Sequence, residues 1–289
     1  MKKNYYRKKT KLIRTGIINS FQREKLTNKK EKVGTPWEIV ENLSKQINLD
    51  FKILLNKGLL TRYNNQEEVY FFNLKKELSH EKMFNGVIFN SKKGPIILGN
   101  NVKIKPFSYL EGPLFIGDNS ELINVRISNS SIGNTCKISG EISNSIMGNF
   151  SNKSHESALL FSYIGDWCNI AGYTNTTNLN INYSPIKIQF RNQIVETGMI
   201  KFVSVICDFV RLGSGITINP GTFIDYASTI LTLPNISGYF PPFTKFKKGK
   251  FYSYFEFKNE MELIMKRRGQ KPNNYLLEKW RKLIDKNYE

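Results

Sequence analysis

From Leu98 onward, aliphatic residues recur every six positions. Leu98, Ile104, Leu110, Ile116 and Leu122 form one run, Ile132 and Ile138 a second, Ile164 and Ile170 a third, and Ile206, Leu212, Ile218, Ile224 and Ile230 a fourth. Glycine follows several of them, as at Gly99, Gly117, Gly133, Gly165 and Gly213. A small residue or valine often stands four places on, as at Val102, Ser108, Ser120, Cys136, Cys168, Thr222 and Ser228. A period of six matches neither the 3.6 of an amphipathic helix nor the strict alternation of a half-buried strand. It predicts a parallel β-helix. Each hexad forms one short flat face and three faces close a triangular coil. The aliphatics point inward and stack at the ~4.8 Å spacing of neighbouring strands. The expected class is mainly β: a left-handed parallel β-helix of hexapeptide repeats with a short N-terminal helical segment and C-terminal helices.

The rest of the chain follows other rules. Residues 1–32 show no sustained periodicity and read as a loose arm. Thr35-Pro36-Trp37-Glu38 is a helix start, with a capping threonine, proline at the first helical position and a capping-box glutamate. Trp37, Val40, Leu43 and Ile47 continue it to about Asn48. Residues 51–85 read as a connector with short strands. The hexad rule fails twice, over 149–163 and over 174–204, and excursions from a solenoid are where binding groups are carried. Phe240-Pro241-Pro242-Phe243 ends the repeat, and 256–268 and 273–286 read as helices separated by Gly269 and Pro272. The expected division is a basic arm at 1–34, a linker at 35–85, the β-helix at 86–239 and a helical tail at 240–289.

Charge changes the picture only at the ends. The net +19 of this 289-residue chain is concentrated in residues 1–32 and 245–289, and the stretch between is nearly neutral. A nucleic-acid arm would place its cations this way. No recognition motif accompanies the charge, and only three alanines stand against abundant Lys, Asn and Ile. Codon bias is the simpler reading, and no nucleic-acid partner is expected. No apolar run reaches the ~18 residues of a membrane helix, no signal core follows the basic N-terminus, and no membrane partner is expected. Cys136, Cys168 and Cys207 are far apart and form no metal-spaced pair, which suggests reduced thiols in a cytoplasm.

Few groups can do chemistry. Of two histidines, His155 lies in the first break with Lys153 two residues before it, whereas His80 sits in a polar Ser-His-Glu context. An imidazole titrates near neutrality and is the usual proton acceptor for an amine or hydroxyl nucleophile. The alternative is a solvated surface side chain. The second break, Thr174 to Tyr183, holds amides and hydroxyls that suit either sugar hydroxyls or the turn's own backbone. Neither a phosphate-binding loop nor a nucleotidyltransferase glycine loop is present.

Several stretches resemble a known family: Asn149-Phe150-Ser151-Asn152-Lys153-Ser154-His155, Ile164-Gly165-Asp166-Trp167-Cys168-Asn169, and Asn180-Ile181-Asn182-Tyr183-Ser184-Pro185-Ile186-Lys187. Thr35-Pro36-Trp37-Glu38-Ile39 and Asp50-Phe51-Lys52 add to them. The chain is similar over residues 35–245 to the bifunctional enzymes that join glucosamine-1-phosphate N-acetyltransferase to UDP-N-acetylglucosamine pyrophosphorylase, in their variant sugar-phosphate nucleotidyltransferase branch. The resemblance implies an acetyl-CoA-dependent acetyltransferase acting on an amino-sugar phosphate. In that family a histidine nine residues before an Ile-Gly hexad is the acetyl-transfer base, and His155 takes that place. Asn169, Asn182 and Tyr183 match groups that bind substrate and acetyl-CoA, and Ser214 matches one that lines the coenzyme groove. Lys153 and Lys187 become candidates for the sugar phosphate. Family members are trimers with sites shared between chains, so a homotrimer is implied. There are departures: Ala158 replaces a tyrosine, Cys207 a glycine, and about 85 residues precede the repeat where the family places a domain of ~200. Either this chain has lost that half or a separate chain supplies uridylyl transfer. Two rivals follow: a non-catalytic trimeric scaffold for such a partner, and nucleotidyl transfer by this chain itself.

Overall fold

The computed structural model describes residues 16–28, 34–63, 67–72, 84–246 and 250–288. Short parallel strands stack into a left-handed β-solenoid of about nine turns. Its three faces can be followed by register. Face A runs from Val69–Phe72 through Ile96–Leu98, the second half of Tyr109–Ile116, and on through Ser162–Ile164, Ser204–Ile206 and Thr222–Ile224 to Tyr239–Phe240. Face B stacks Ile104, Leu122, Ile138, Lys153, Ile170, Leu212 and Ile230. Face C stacks Leu110, Ile127, Ile142 and Leu159, then Thr176, Ile218 and Ile236. Every hexad aliphatic named from the sequence points into this prism and is at most 7 % exposed.

The corner between faces A and B explains the glycines. In successive coils an Asp or Asn follows the hexad glycine, and its side-chain oxygen accepts the backbone N–H of the equivalent residue one coil earlier. Asn149 N donates to Asp166 Oδ1 at 2.6 Å, and Asp166 N to Asp208 Oδ1 at 3.1 Å. A Cβ built on Gly165 would stand 2.4 Å from that Asp208 oxygen, so only glycine fits beneath the ladder. The next residue turns the corner with positive φ, and at Phe150, Trp167 and Phe209 its ring stacks on the one above. Helices α4 (Tyr254–Lys266) and α5 (Asn274–Tyr288) dock on this aromatic edge, burying Phe257, Met261, Met265 and Trp280 against Phe209 and Phe243.

The outer surface of face A departs from strand alternation. Ile97, Phe115, Ile146, Tyr163, Val205 and Phe223 face outward and are apolar. Helices α2 (Pro36–Glu41) and α3 (Leu43–Asn56) cover them, as does a hairpin of Lys187–Phe190 and Gln193–Glu196. The Thr35–Glu38 capping box forms as expected. Helix α3 continues to Asn56, beyond the Asn48 boundary read from periodicity.

The arm is also different from its sequence reading. Residues 1–15 and 29–33 lie outside the described residues. Residues 16–28, however, pack onto α3 and include helix α1 (Ser20–Thr27). Ile17 and Ile18 are buried, and their amides donate to Asp50 Oδ2. Arg23, also buried, pairs with Asp50 at 2.6 Å.

The solenoid extends past both limits expected for it. Val69–Phe72 already forms a face A strand, and Thr244–Lys245 pairs in parallel with Thr229 on face B. The strand Leu60–Arg62 runs antiparallel to the first of these, and Lys250–Phe251 antiparallel to the last.

Candidate functional site

The first expected excursion, 149–163, is a full coil. Asn152–Lys153 pairs in parallel with Lys137–Ile138, and Ala158–Leu160 with Glu141–Ser143. Lys153 occupies the inward aliphatic place of face B and is 0 % exposed. Its four methylenes continue the aliphatic stack, as long lysine stems can. Its ammonium reaches the corner beyond and donates to the carbonyls of Ser139 at 2.7 Å, Ser157 at 2.8 Å and His155 at 3.2 Å. An ammonium has three N–H donors, and three carbonyls take them. The sequence-level assignment of Lys153 to a sugar phosphate therefore fails, because the group is sealed inside the prism. Burial lowers its pKa to about 8, against a smaller opposing pull from Glu156.

His155 lies on the turn from face B to face C, with its side chain exposed. Counting two residues on from the inward position places Gly172 and Ser214 at the same corner in the next two coils. A Cβ on Gly172 would come 3.1 Å from His155 Cβ, so the missing side chain leaves room for the imidazole. Gly215 N donates to Gly172 O at 3.0 Å, and Tyr173 N to Glu156 O at 3.1 Å, which locks the three corners together. His155 and exposed Ser214 thus stand two rungs apart, about 10 Å at ~4.8 Å per strand. Gly172 is the residue between them; in the next column Tyr173 is exposed, and a Cβ on Gly215 would meet nothing within 4 Å.

The other expected residues lie elsewhere. Asn169 faces out from face B, its Oδ1 accepting from Asn152 Nδ2 at 2.9 Å. Asn182 and Tyr183 sit in the true excursion, which leaves after Asn175–Thr176 and returns at Ser204. There Asn182 Oδ1 accepts from Ser184 N, and Tyr183 N donates to Asn180 O, so the asparagines serve the turn's own backbone. The Tyr183 ring is exposed, as are Ile181, Ile194 and Ile200 of the same excursion. Lys187 opens the hairpin on face A, with its ammonium 2.9 Å from Glu196 and both side chains exposed. His155 and Ser214 therefore share one corner of the prism, while Lys187 belongs to a hairpin packed on another side. His80 lies outside the described residues.

A groove next to His155 had no sequence signal. A cavity of about 480 Å³ is lined by Phe107, Tyr109, Arg126, Gly140, Glu141 and Glu156 among others. Tyr109, Arg126 and Glu141 are cross-strand neighbours facing out from face C in successive coils. The Arg126 guanidinium lies 5.8 Å from the Tyr109 ring centroid. The three come from strands fifteen to seventeen residues apart, so no local motif marks them.

Cys207 has a structural reason. In the next coil Tyr226 stands where the ladder would need an Asp or Asn, and Asp225, at the glycine place, hydrogen-bonds the Cys207 thiol. Asp225 also accepts from the Tyr239 hydroxyl, at 3.0 Å on Oδ2. Burial raises the Cys168 and Cys207 thiols well above their ordinary range, so neither is a nucleophile at neutral pH. Among the described residues no group of three or more His, Cys, Asp or Glu could hold a metal ion, and no helix is long and apolar enough to cross a membrane. Neither a model of a known protein family nor the sequence of a curated protein matches the chain.

Proposed function

We propose that this chain is a hexapeptide-repeat acyltransferase that moves an acetyl group from acetyl-CoA to the amine of glucosamine-1-phosphate or a related amino-sugar phosphate. The observation that carries this reading is the exposed imidazole of His155 on a solenoid corner, with Gly172 leaving room beside it on one side and a polar groove on the other. The pantetheine arm follows this corner from His155 past Gly172 toward Ser214. The amino sugar occupies the groove, where Arg126 is the cation available to a phosphate in place of Lys153. The amine nitrogen attacks the thioester carbonyl, a C–N bond forms, and His155 accepts the amine proton. The tetrahedral intermediate then collapses, the C–S bond breaks, and the thiolate of coenzyme A leaves. General-base help of this kind is worth ~10²–10⁴ in rate. A homotrimer would set a neighbouring chain against this corner, and the exposed Ile181, Tyr183, Ile194 and Ile200 are suited to that contact.

A second reading is favoured by the two lysines. Lys153 is spent on carbonyls and Lys187 on Glu196, as a non-catalytic trimeric scaffold for a separate sugar-phosphate nucleotidyltransferase would allow. Thiol release from acetyl-CoA across a panel of amino-sugar phosphates separates the readings. The acyltransferase releases thiol with at least one of them, and His155→Ala lowers kcat by ~10²-fold or more with little change in KM for acetyl-CoA. A folded wild type that releases no thiol with any of them leaves the scaffold.

A further inference from the structure

The turn that carries His155 has an unusual composition for a solenoid corner. Ser154, His155, Glu156 and Ser157 are all polar, and the one buried atom among their side chains, the Ser157 Oγ, has no hydrogen-bond partner among the described residues. The equivalent turns have apolar or compact anchors, such as Val125, which is 1 % exposed, and Ile216, also 1 % exposed. Neighbouring coils hold this backbone through Tyr173 N to Glu156 O and Glu141 N to Ser157 O, but the turn's own side chains supply no interior anchor.

The buried ammonium supplies that anchor. From the interior, Lys153 Nζ binds two carbonyls of its own corner, His155 O and Ser157 O, and one of the preceding coil, Ser139 O. The three acceptors converge from two coils on one cation, so the knot ties the His155 corner to the coil beneath it. Hydrogen bonds to a charged donor are about twice as strong as neutral ones. Gly140 makes room for the cation. Its φ of +78° is in the left-handed region, and a Cβ there would stand 3.2 Å from Lys153 Nζ and 2.5 Å from Ser157 O.

We infer that Lys153 is a positioning residue, an interior cation whose three carbonyl bonds fix the corner that presents His155. It touches no substrate, and only its effect on turnover rests on the reading of His155 as a base. The inference differs from space filling. If Lys153 only continued the aliphatic stack, methionine would serve as well, because it matches the stem in length and lacks only the charge.

The test compares wild type with Lys153→Met by amide hydrogen exchange. Exchange at residues 154–158 and 139–141 should rise by at least about tenfold in the variant, while coils at 204–206 and 222–224 stay protected. In a His80→Gln background, diethyl pyrocarbonate modification of the one remaining histidine should change rate in the same variant. Unchanged exchange at 154–158 together with an unchanged modification rate overturns the inference. Should Lys153→Met not fold, the wild type carries the test. A ¹⁵N-lysine spectrum near pH 6.5 should show a slowly exchanging side-chain ammonium signal, and its absence overturns the proposal equally. Thiol release is scored separately. A wild type without activity but with a loosened corner in the variant refutes the acyltransferase reading and leaves the positioning role standing.

Discussion

Burying the Lys153 ammonium should make the stability of this protein rise with pH over a range where most proteins lose it. The pKa of the group falls from the ordinary 10.5 to about 8, mainly through burial. The charged form is therefore disfavoured in the folded state relative to the unfolded one. Below about pH 8 the side chain is protonated in both states and the whole cost of burying the charge is present. Above 10.5 it is neutral in both and the cost is gone. A difference of about 2.5 pKa units at 1.36 kcal/mol each amounts to about 3 kcal/mol, most of it recovered by pH 10. Two tyrosines work in the opposite direction. Burial raises Tyr252 to about 12 and raises Tyr239 as well, so each stabilises the fold only until the unfolded phenol ionises near pH 10. Subtracting Lys153→Met removes these shared contributions. Urea unfolding of both proteins at pH 7, 8.5 and 10 should show wild type gaining on the variant by about 2–3 kcal/mol across the series. A difference that stays flat from pH 7 to 10 would show that water reaches the ammonium, and the reasoning from burial would fail.

Three other outcomes follow from the packing. Gly165→Ala should cost at least about 2 kcal/mol, because the new Cβ meets both Asp208 Oδ1 and Asp208 N, whereas Cys207→Gly should cost less than about 1 kcal/mol in the same thermal melts. Trp280→Ala should loosen the C-terminal helices by about 3–5 kcal/mol, read as protease cleavage after residue 246. Trp280→Phe should be much milder, since the indole N–H is buried without an acceptor among the described residues. Deleting residues 2–30 should cost about 3–5 kcal/mol in urea stability by stranding buried Asp50 without Arg23.

The prism interior was legible because its constraint repeats. Each inward place on each face needs an apolar side chain of similar size, and the period of six exposes that demand at Leu98 and Ile230 alike. Lys153 escaped because lysine is read as a surface residue, and only the register beside Ile138 shows its stem inside. The outward Ile97, Phe115 and Val205 were hidden for a different reason. A strand's outer face is polar unless something covers it, and the cover comes from helices more than forty residues away in sequence. The arm at 16–28 was misread because its order depends on two buried isoleucines and one ion pair, too few to produce a period. At the candidate site, His155 stood out by rarity and by its spacing to Ile164-Gly165. Arg126 and Glu141 did not, because coils bring them together and no motif does.

A stack of parallel strands has a weakness that a closed barrel lacks. Its first and last rungs expose unpaired backbone groups in the pattern that another copy's first or last coil could continue, end to end and without limit. Here one face at each end is met by a strand running the opposite way, Leu60–Arg62 against Val69–Phe72 and Lys250–Phe251 against Thr244–Lys245. An antiparallel partner leaves an outer edge whose hydrogen-bonding groups are spaced in alternating close and wide pairs, unlike the even spacing of a parallel ladder. An incoming coil cannot extend the solenoid in register across such an edge. On those faces the reversed strands act as stoppers against end-to-end growth, and removing either one should raise the tendency of the protein to lengthen along the solenoid axis.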